Sequence, residues 1–79
     1  MADDRSKEDL EEELRVVEED IASVRPALED LRARIGDRSD DPTDVEERAA
    51  MITTAEEQEA LVERLEERRF ELLRRLGRA

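Results

Sequence analysis

Apolar residues in the first half of the chain recur with alternating steps of four and three. The positions are Leu10, Leu14, Val17, Ile21, Val24, Leu28, Leu31 and Ile35. This spacing is the a/d seam of a coiled-coil helix, and it argues against disorder for this segment. Ser6 followed by Asp9 resembles a capping box, and Gly36 is suited to terminate a helix. The pattern therefore predicts helix 1 over about residues 7–35.

Pro26 lies inside this predicted helix. Its ring nitrogen carries no hydrogen, so the backbone bond to Ala22 is lost at a cost of roughly 3 kcal/mol. The heptad packing has to offset that cost, and we expect a kink at this point.

Residues 36–43 combine turn signals with helix-start signals, and we interpret them as the acidic turn of a hairpin. Asp41 could be the N-cap with Pro42 at the first helical position, or Thr43 could cap with Glu46 three residues on. Helix 2 is then predicted over about residues 43–76, ending at Gly77. The whole chain is expected to form a single domain.

The charges favour an antiparallel arrangement of the two helices. Helix 1 opens with an acidic block (Glu8, Asp9, Glu11, Glu12 and Glu13), and helix 2 closes with an arginine block (Arg64, Arg68, Arg69, Arg74, Arg75 and Arg78). Only a hairpin that folds back on itself places these blocks side by side. The predicted fold is an all-α antiparallel coiled-coil hairpin, with Ile21 near Val62 and Leu14 near Arg69.

Helix 2 has more apolar residues than one seam needs. Leu61, Phe70 and Leu73 are left over, and exposed apolar residues of this kind mark an interface with a second copy or another partner. A 79-residue chain buries little core by itself, which also favours association. We therefore expect a homodimer that forms a four-helix bundle.

The composition excludes most kinds of enzyme chemistry. Cysteine and histidine are absent, which removes thiolate sites and the commonest general base. A formal net charge of -11 and a single aromatic residue argue against direct binding to nucleic acid or to anionic membranes. The sequence has no apolar span and no signal-peptide pattern at its start, so the protein is expected to be cytoplasmic. Because cysteine and histidine are absent, we also predict no enzymatic activity and no cofactor. The preference for Arg over Lys is compatible with a high-GC bacterial genome.

The predicted turn region is rich in carboxylates. They are Asp37, Asp40, Asp41, Asp44, Glu46 and Glu47. Such groups suit Mg²⁺, but their spacing does not match an EF-hand loop, and acids at a helix start stabilise it through capping and the helix dipole. We therefore predict no metal site here. Further along, Gln58 falls at a seam position, where a buried amide could fix the register or could equally point to solvent.

The segment from Asp41 through Ala50, followed by a long helix rich in Glu and Arg, resembles the coiled-coil tip of the DksA and Gre type of RNA polymerase regulators. In that family a D-x-x-D-x-A motif at the tip enters the secondary channel of the polymerase and approaches the catalytic Mg²⁺. Asp41 and Asp44 match the two acids, whereas Glu46 replaces the alanine. The zinc finger or globular domain of that family has no counterpart here, so the Leu61, Phe70 and Leu73 face or the Arg-rich end would have to anchor the hairpin.

Two functions follow as hypotheses. The leading one is a non-enzymatic protein–protein interaction module, a self-associating hairpin adaptor that offers an acidic tip (Asp41, Asp44 and Glu46) to a protein partner. The alternative, which the resemblance implies, is a small transcription regulator that binds RNA polymerase through that tip.

Overall fold

Two long helices make up the hairpin. The structure, a computed structural model, describes residues 6–37 and 45–79, and within these ranges it contains no strand. Helix α1 spans Lys7–Asp37 and helix α2 spans Val45–Arg75. They pack against each other antiparallel in a rod of 58 × 18 × 17 Å. The predicted all-α helical hairpin is thereby confirmed, while the homodimer stays a prediction.

The start of α1 is capped as the sequence predicted. The hydroxyl oxygen of Ser6 accepts a hydrogen bond of 3.1 Å from the backbone N–H of Asp9. The Ser6 carbonyl accepts a second one, of 3.1 Å, from the N–H of Leu10. Ser6 thus satisfies an amide that would otherwise lack a partner at the helix start.

Helix α1 extends two residues beyond its predicted end. Gly36 was expected to terminate the helix, but α1 runs through it to Asp37, and the backbone of Gly36 does not adopt the left-handed conformation of a terminating glycine. Ile35 still packs against the core, which holds the final turn in helical geometry. The helix is also unbroken at Pro26, which lies exposed on its surface.

The end of α2 follows the glycine prediction. Gly77 has a φ of 76°. Its N–H donates to the Arg74 carbonyl at 3.0 Å, and the N–H of Arg78 donates to the Leu73 carbonyl at 2.8 Å. This pair of bonds is a Schellman motif, which requires the left-handed conformation that glycine adopts without strain.

The core consists of two apolar clusters along the helix–helix seam. The base cluster, near the free ends of the helices, contains Leu10, Leu14, Val17, Ile21 and Leu72, with Leu65, Leu73 and Leu76 packed against it. The tip-side cluster contains Leu28, Ala55 and Val62, with Val24, Leu31 and Ile35 packed against it. Every predicted seam position of helix 1 is therefore in one cluster or at its edge.

The register of the two helices differs from the prediction. Ile21 was expected near Val62, yet Ile21 belongs to the base cluster with Leu72, and Val62 belongs to the tip-side cluster with Leu28. Leu14 likewise shares a cluster with Leu72, three residues beyond the predicted Arg69. The difference is about one helical turn. Leu72 is completely enclosed in the base cluster, a placement that the length of the connection does not reveal.

Candidate interaction surfaces

Charged side chains connect the two helices along their length. Near the free ends, acids of α1 contact arginines of α2 in the pairs Glu13–Arg68 and Glu18–Arg69, and Glu11 contacts Arg78, which follows α2. Farther toward the tip the order reverses, in the pairs Arg25–Glu66 and Arg32–Glu59. The predicted meeting of the acidic and arginine blocks is confirmed by the first set. Acids meet arginines in both regions only when the two helices run antiparallel, so the charges support this orientation.

The Glu13–Arg68 pair is the most enclosed of these contacts. The Nε of Arg68 donates to a carboxylate oxygen of Glu13 at 2.6 Å, and the two side chains are 33% and 27% exposed. Hydrogen bonding to Glu13 raises the pKa of Arg68 further above its ordinary value. Arg68 also lies 3.4 Å from Glu71 on its own helix. This arginine therefore remains charged and connects α1 to α2.

The hairpin has two long sides, which we name after one residue each. On the Leu61 side, the Glu13–Arg68 pair marks where the helices meet. Leu61 precedes Arg68 by seven residues, about two turns, and Leu31 follows Glu13 by eighteen, about five turns, so both leucines project on this side. On the Phe70 side, the Arg25–Glu66 pair marks the meeting, and Phe70 lies one turn beyond Glu66.

The structure does not bring the predicted partner face together as one surface. Leu61 and Phe70 are nine residues apart on α2, which places them about 180° apart around the helix. Leu73 packs against the base cluster and is half-buried. Leu61 is half-buried and belongs to neither cluster, whereas Phe70 is 59% exposed. The nine-residue spacing was readable in the sequence and could have separated the two sides.

Phe70 borders a shallow depression on the surface of α2. Glu63, Glu66 and Glu67 line the rest of it, and its volume is about 440 Å³. Glu66 is paired with Arg25, whereas Glu63 and Glu67 form no ion pair with the described residues. The depression therefore combines an exposed aromatic ring with uncompensated negative charge, which the sequence analysis did not single out.

A second depression lies between the helices on the Phe70 side. Ile21, Ala22 and Pro26 provide its apolar surface, and its volume is about 540 Å³. Two ion pairs border it, Arg25–Glu66 and Glu18–Arg69. Since Pro26 has no N–H, the carbonyl of Ala22 lacks its helical donor at this place. Ala22 is exposed, so solvent can satisfy that carbonyl.

Gln58 lies within the helix–helix seam, as its position predicted. The residue is half-buried, and its side-chain oxygen Oε1 is inaccessible and has no hydrogen-bond partner among the described residues. The sequence left open whether the amide is buried or points to solvent, and the structure shows its oxygen buried. An unpaired polar atom in a seam costs free energy, typically about 1–3 kcal/mol.

The predicted acidic tip is only partly described. Glu46 lies exposed in the first turn of α2, where its negative charge interacts favourably with the helix dipole. Asp41 and Asp44 fall outside the described residues. Within residues 6–37 and 45–79 no three acidic side chains are grouped so that they could hold a metal ion. Neither of the two helices is long and apolar enough to cross a membrane.

No protein-family model, curated protein or solved structure matches this chain. The resemblance of its turn to polymerase regulators therefore stays a prediction from sequence.

Proposed function

We propose that this protein is a non-enzymatic protein–protein interaction module, a helical hairpin that self-associates through its Leu61 side and keeps its acidic surfaces for another protein. Leu61 carries the proposal. It is a half-buried leucine outside both core clusters, and it projects on the same side as the exposed part of Leu31, whose remainder packs against the tip-side cluster. A second hairpin laid on this side would cover both leucines.

The exposed surface of the hairpin supports association. A compact protein of 9.2 kDa would expose about 4,900 Å², whereas this chain exposes 5841 Å². One long side of a rod of 58 × 18 Å has an area of about 1,000 Å², above the ~800 Å² per partner of a standard stable interface. Packing two hairpins side by side therefore gives enough contact for a four-helix bundle.

The electrostatics of the described residues support a non-enzymatic role. The resolved pKa shifts favour charged forms: hydrogen bonding to Arg15 lowers the pKa of Glu12, and hydrogen bonding to Glu12 raises that of Arg15. Arg68 behaves in the same way beside Glu13. A general acid or base at neutral pH needs the opposite, a carboxyl group whose pKa is raised by burial. Glu12 and Arg15 pair within α1, and Arg68 pairs with Glu13 across the two helices.

Analytical ultracentrifugation of matched variants tests the proposal. We expect the wild type to sediment at twice the 9.2 kDa chain mass, and Leu61→Ser to sediment as a helical monomer at the same concentration. Phe70→Ser is the matched control, since it removes an apolar side chain from the opposite side of the same helix, and it should remain dimeric. A wild type that stays monomeric at several hundred micromolar would refute self-association.

The regulator of RNA polymerase remains the alternative function. It rests on Asp41 and Asp44, outside the described residues, and on the hairpin that would carry them. Its test addresses the tip alone.

A further inference from the structure

Three exposed apolar residues lie on one line along α2. Of the four large apolar side chains that are well exposed in the described chain, Val45, Ile52 and Phe70 belong to α2, with exposed fractions of 80%, 39% and 59%. Ile52 follows Val45 by seven residues, about two turns, and Phe70 follows Ile52 by eighteen, about five turns. They therefore share one face of the helix over about 37 Å. We call this face the Phe70 line.

The face between Ile52 and Phe70 is acidic, whereas Arg48 lies between Val45 and Ile52 and Arg74 lies one turn beyond Phe70. Glu56, Glu59, Glu63 and Glu66 project near the same line because they are spaced by three and four residues. Glu59 and Glu66 are neutralised by Arg32 and Arg25 from α1. Glu56 and Glu63 form no ion pair with the described residues, nor does Glu67 beside Phe70.

The combination is an amphipathic helix face that α1 contacts through the ion pairs of Glu59 and Glu66 and otherwise leaves open. Its apolar residues lie at the two ends, and its uncompensated carboxylates lie between them and beside Phe70. A second copy of this chain is a poor occupant, since a two-fold contact along this line would place Glu63 and its neighbours against the same acids, with a net charge of -11 on each copy. The occupant has to bring positive charge.

We propose that the Phe70 line binds a basic amphipathic helix of another protein. Arginine or lysine side chains of that helix would pair with Glu63 and Glu67, and one of them would lie against the Phe70 ring, which attracts cations through its π face. Apolar side chains of the same helix would cover Ile52 and Val45. This inference rests on the proposed function as an interaction module, but it uses the opposite side of α2 from self-association.

The probe is a fluorescein-labelled synthetic helix of 21 residues that repeats leucine at seam positions and arginine at flanking positions. Its affinity for the wild type and for variants is measured by fluorescence anisotropy at 150 mM salt. Phe70→Ser should weaken binding about tenfold, as truncation of a central anchor does. The double variant Glu63→Gln, Glu67→Gln should weaken binding severalfold and reduce its dependence on salt.

Two matched controls separate this site from general attraction between opposite charges. Val16→Ser removes an exposed apolar residue from α1, and the double variant Glu8→Gln, Asp20→Asn removes the same charge as the α2 double variant. Both should bind the probe within twofold of the wild type. The inference is overturned if the wild type does not bind the probe, if Phe70→Ser binds it unchanged, or if the control double variant weakens binding as much as the α2 variant.

Failure here and failure of self-association are distinguishable. Sedimentation of the same samples reports the dimer, which depends on Leu61, and anisotropy reports the basic helix, which depends on Phe70. Dimers that bind the probe independently of Phe70 would overturn this inference and leave the proposed self-association intact.

Discussion

Arg68 of α2 donates a hydrogen bond of 2.6 Å to Glu13 of α1, and the contact is partly shielded from solvent. The two residues are far apart in the sequence, so their meeting reports directly on the antiparallel register. Solvent screens such a pair less than it screens the fully exposed pairs of this surface.

Reversing one charge of this pair should destabilise the hairpin, and reversing both should restore part of the loss. Arg68→Glu places like charges together, whereas the double variant Glu13→Arg, Arg68→Glu recreates the pair. Because both side chains are about one-third exposed, we expect a coupling free energy of only about 0.5–1 kcal/mol. Urea unfolding followed by circular dichroism at fixed protein concentration measures it. A coupling of zero would show that the contact contributes nothing to stability.

Truncation of Leu72 should be the most damaging single change in the core. Leu72 has no exposed surface, and replacing a buried leucine by alanine typically costs about 2–5 kcal/mol. Against a total stability of several kcal/mol for a chain of this size, Leu72→Ala should unfold a substantial fraction of the protein at 37 °C. Val16→Ala is the control, because Val16 is 41% exposed, and it should change the midpoint of thermal unfolding little. Equal effects of the two substitutions would contradict the assigned core.

Replacing Gln58 by an apolar residue should stabilise the hairpin. The buried oxygen of Gln58 has no hydrogen-bond partner in the described chain, so Gln58→Leu removes an unpaired polar atom and adds apolar contact, worth about 1–2 kcal/mol. Gln58→Glu keeps the shape but buries a charge, and it should destabilise. Chemical denaturation of the three proteins gives the order. If Gln58→Leu were the least stable, the amide would have a partner or a register role that outweighs its burial.

The two glycines should respond in opposite directions to alanine. Gly77 has a φ of 76° at the end of α2, where a side chain is strained, so Gly77→Ala should cost about 1 kcal/mol. Gly36 lies inside α1 with nothing within 4 Å of an added Cβ, so Gly36→Ala should stabilise by about 0.5–1 kcal/mol. Thermal unfolding of both variants tests this. The same sign for both would mean that α1 ends at Gly36 after all.

The tip variant Asp41→Asn, Asp44→Asn separates the two candidate functions. An adaptor that works through its sides should keep its dimer and its binding of a basic helix. A regulator of the polymerase secondary channel should lose its effect on transcription in a reconstituted assay, with helicity unchanged. Glu8→Gln, Asp20→Asn removes the same charge at a distance from the tip and serves as control. If the wild-type protein itself has no effect on transcription in this assay, the regulator hypothesis is refuted.

The sequence alone determined the secondary structure and the overall fold. The steps of four and three from Leu10 to Ile35 predict a seam, because an α-helix repeats nearly every 3.5 residues along such a line. Ser6 and Gly77 mark helix ends through local hydrogen bonds and backbone conformation, which involve only neighbouring residues. The acidic and arginine blocks predicted the antiparallel orientation. This prediction depends only on the order of the charges along the sequence and not on their exact contacts.

Only the tertiary structure decided the register and which apolar residues of α2 join the core. Which residues meet across the seam depends on how side chains of both helices interdigitate. The observed clusters place Ile21 and Leu14 with Leu72, about one turn from the predicted pairing. The same packing takes Leu73 into the base cluster and leaves Leu61 outside both clusters. Local sequence cannot fix these relations, because burial is shared between residues that are distant along the chain.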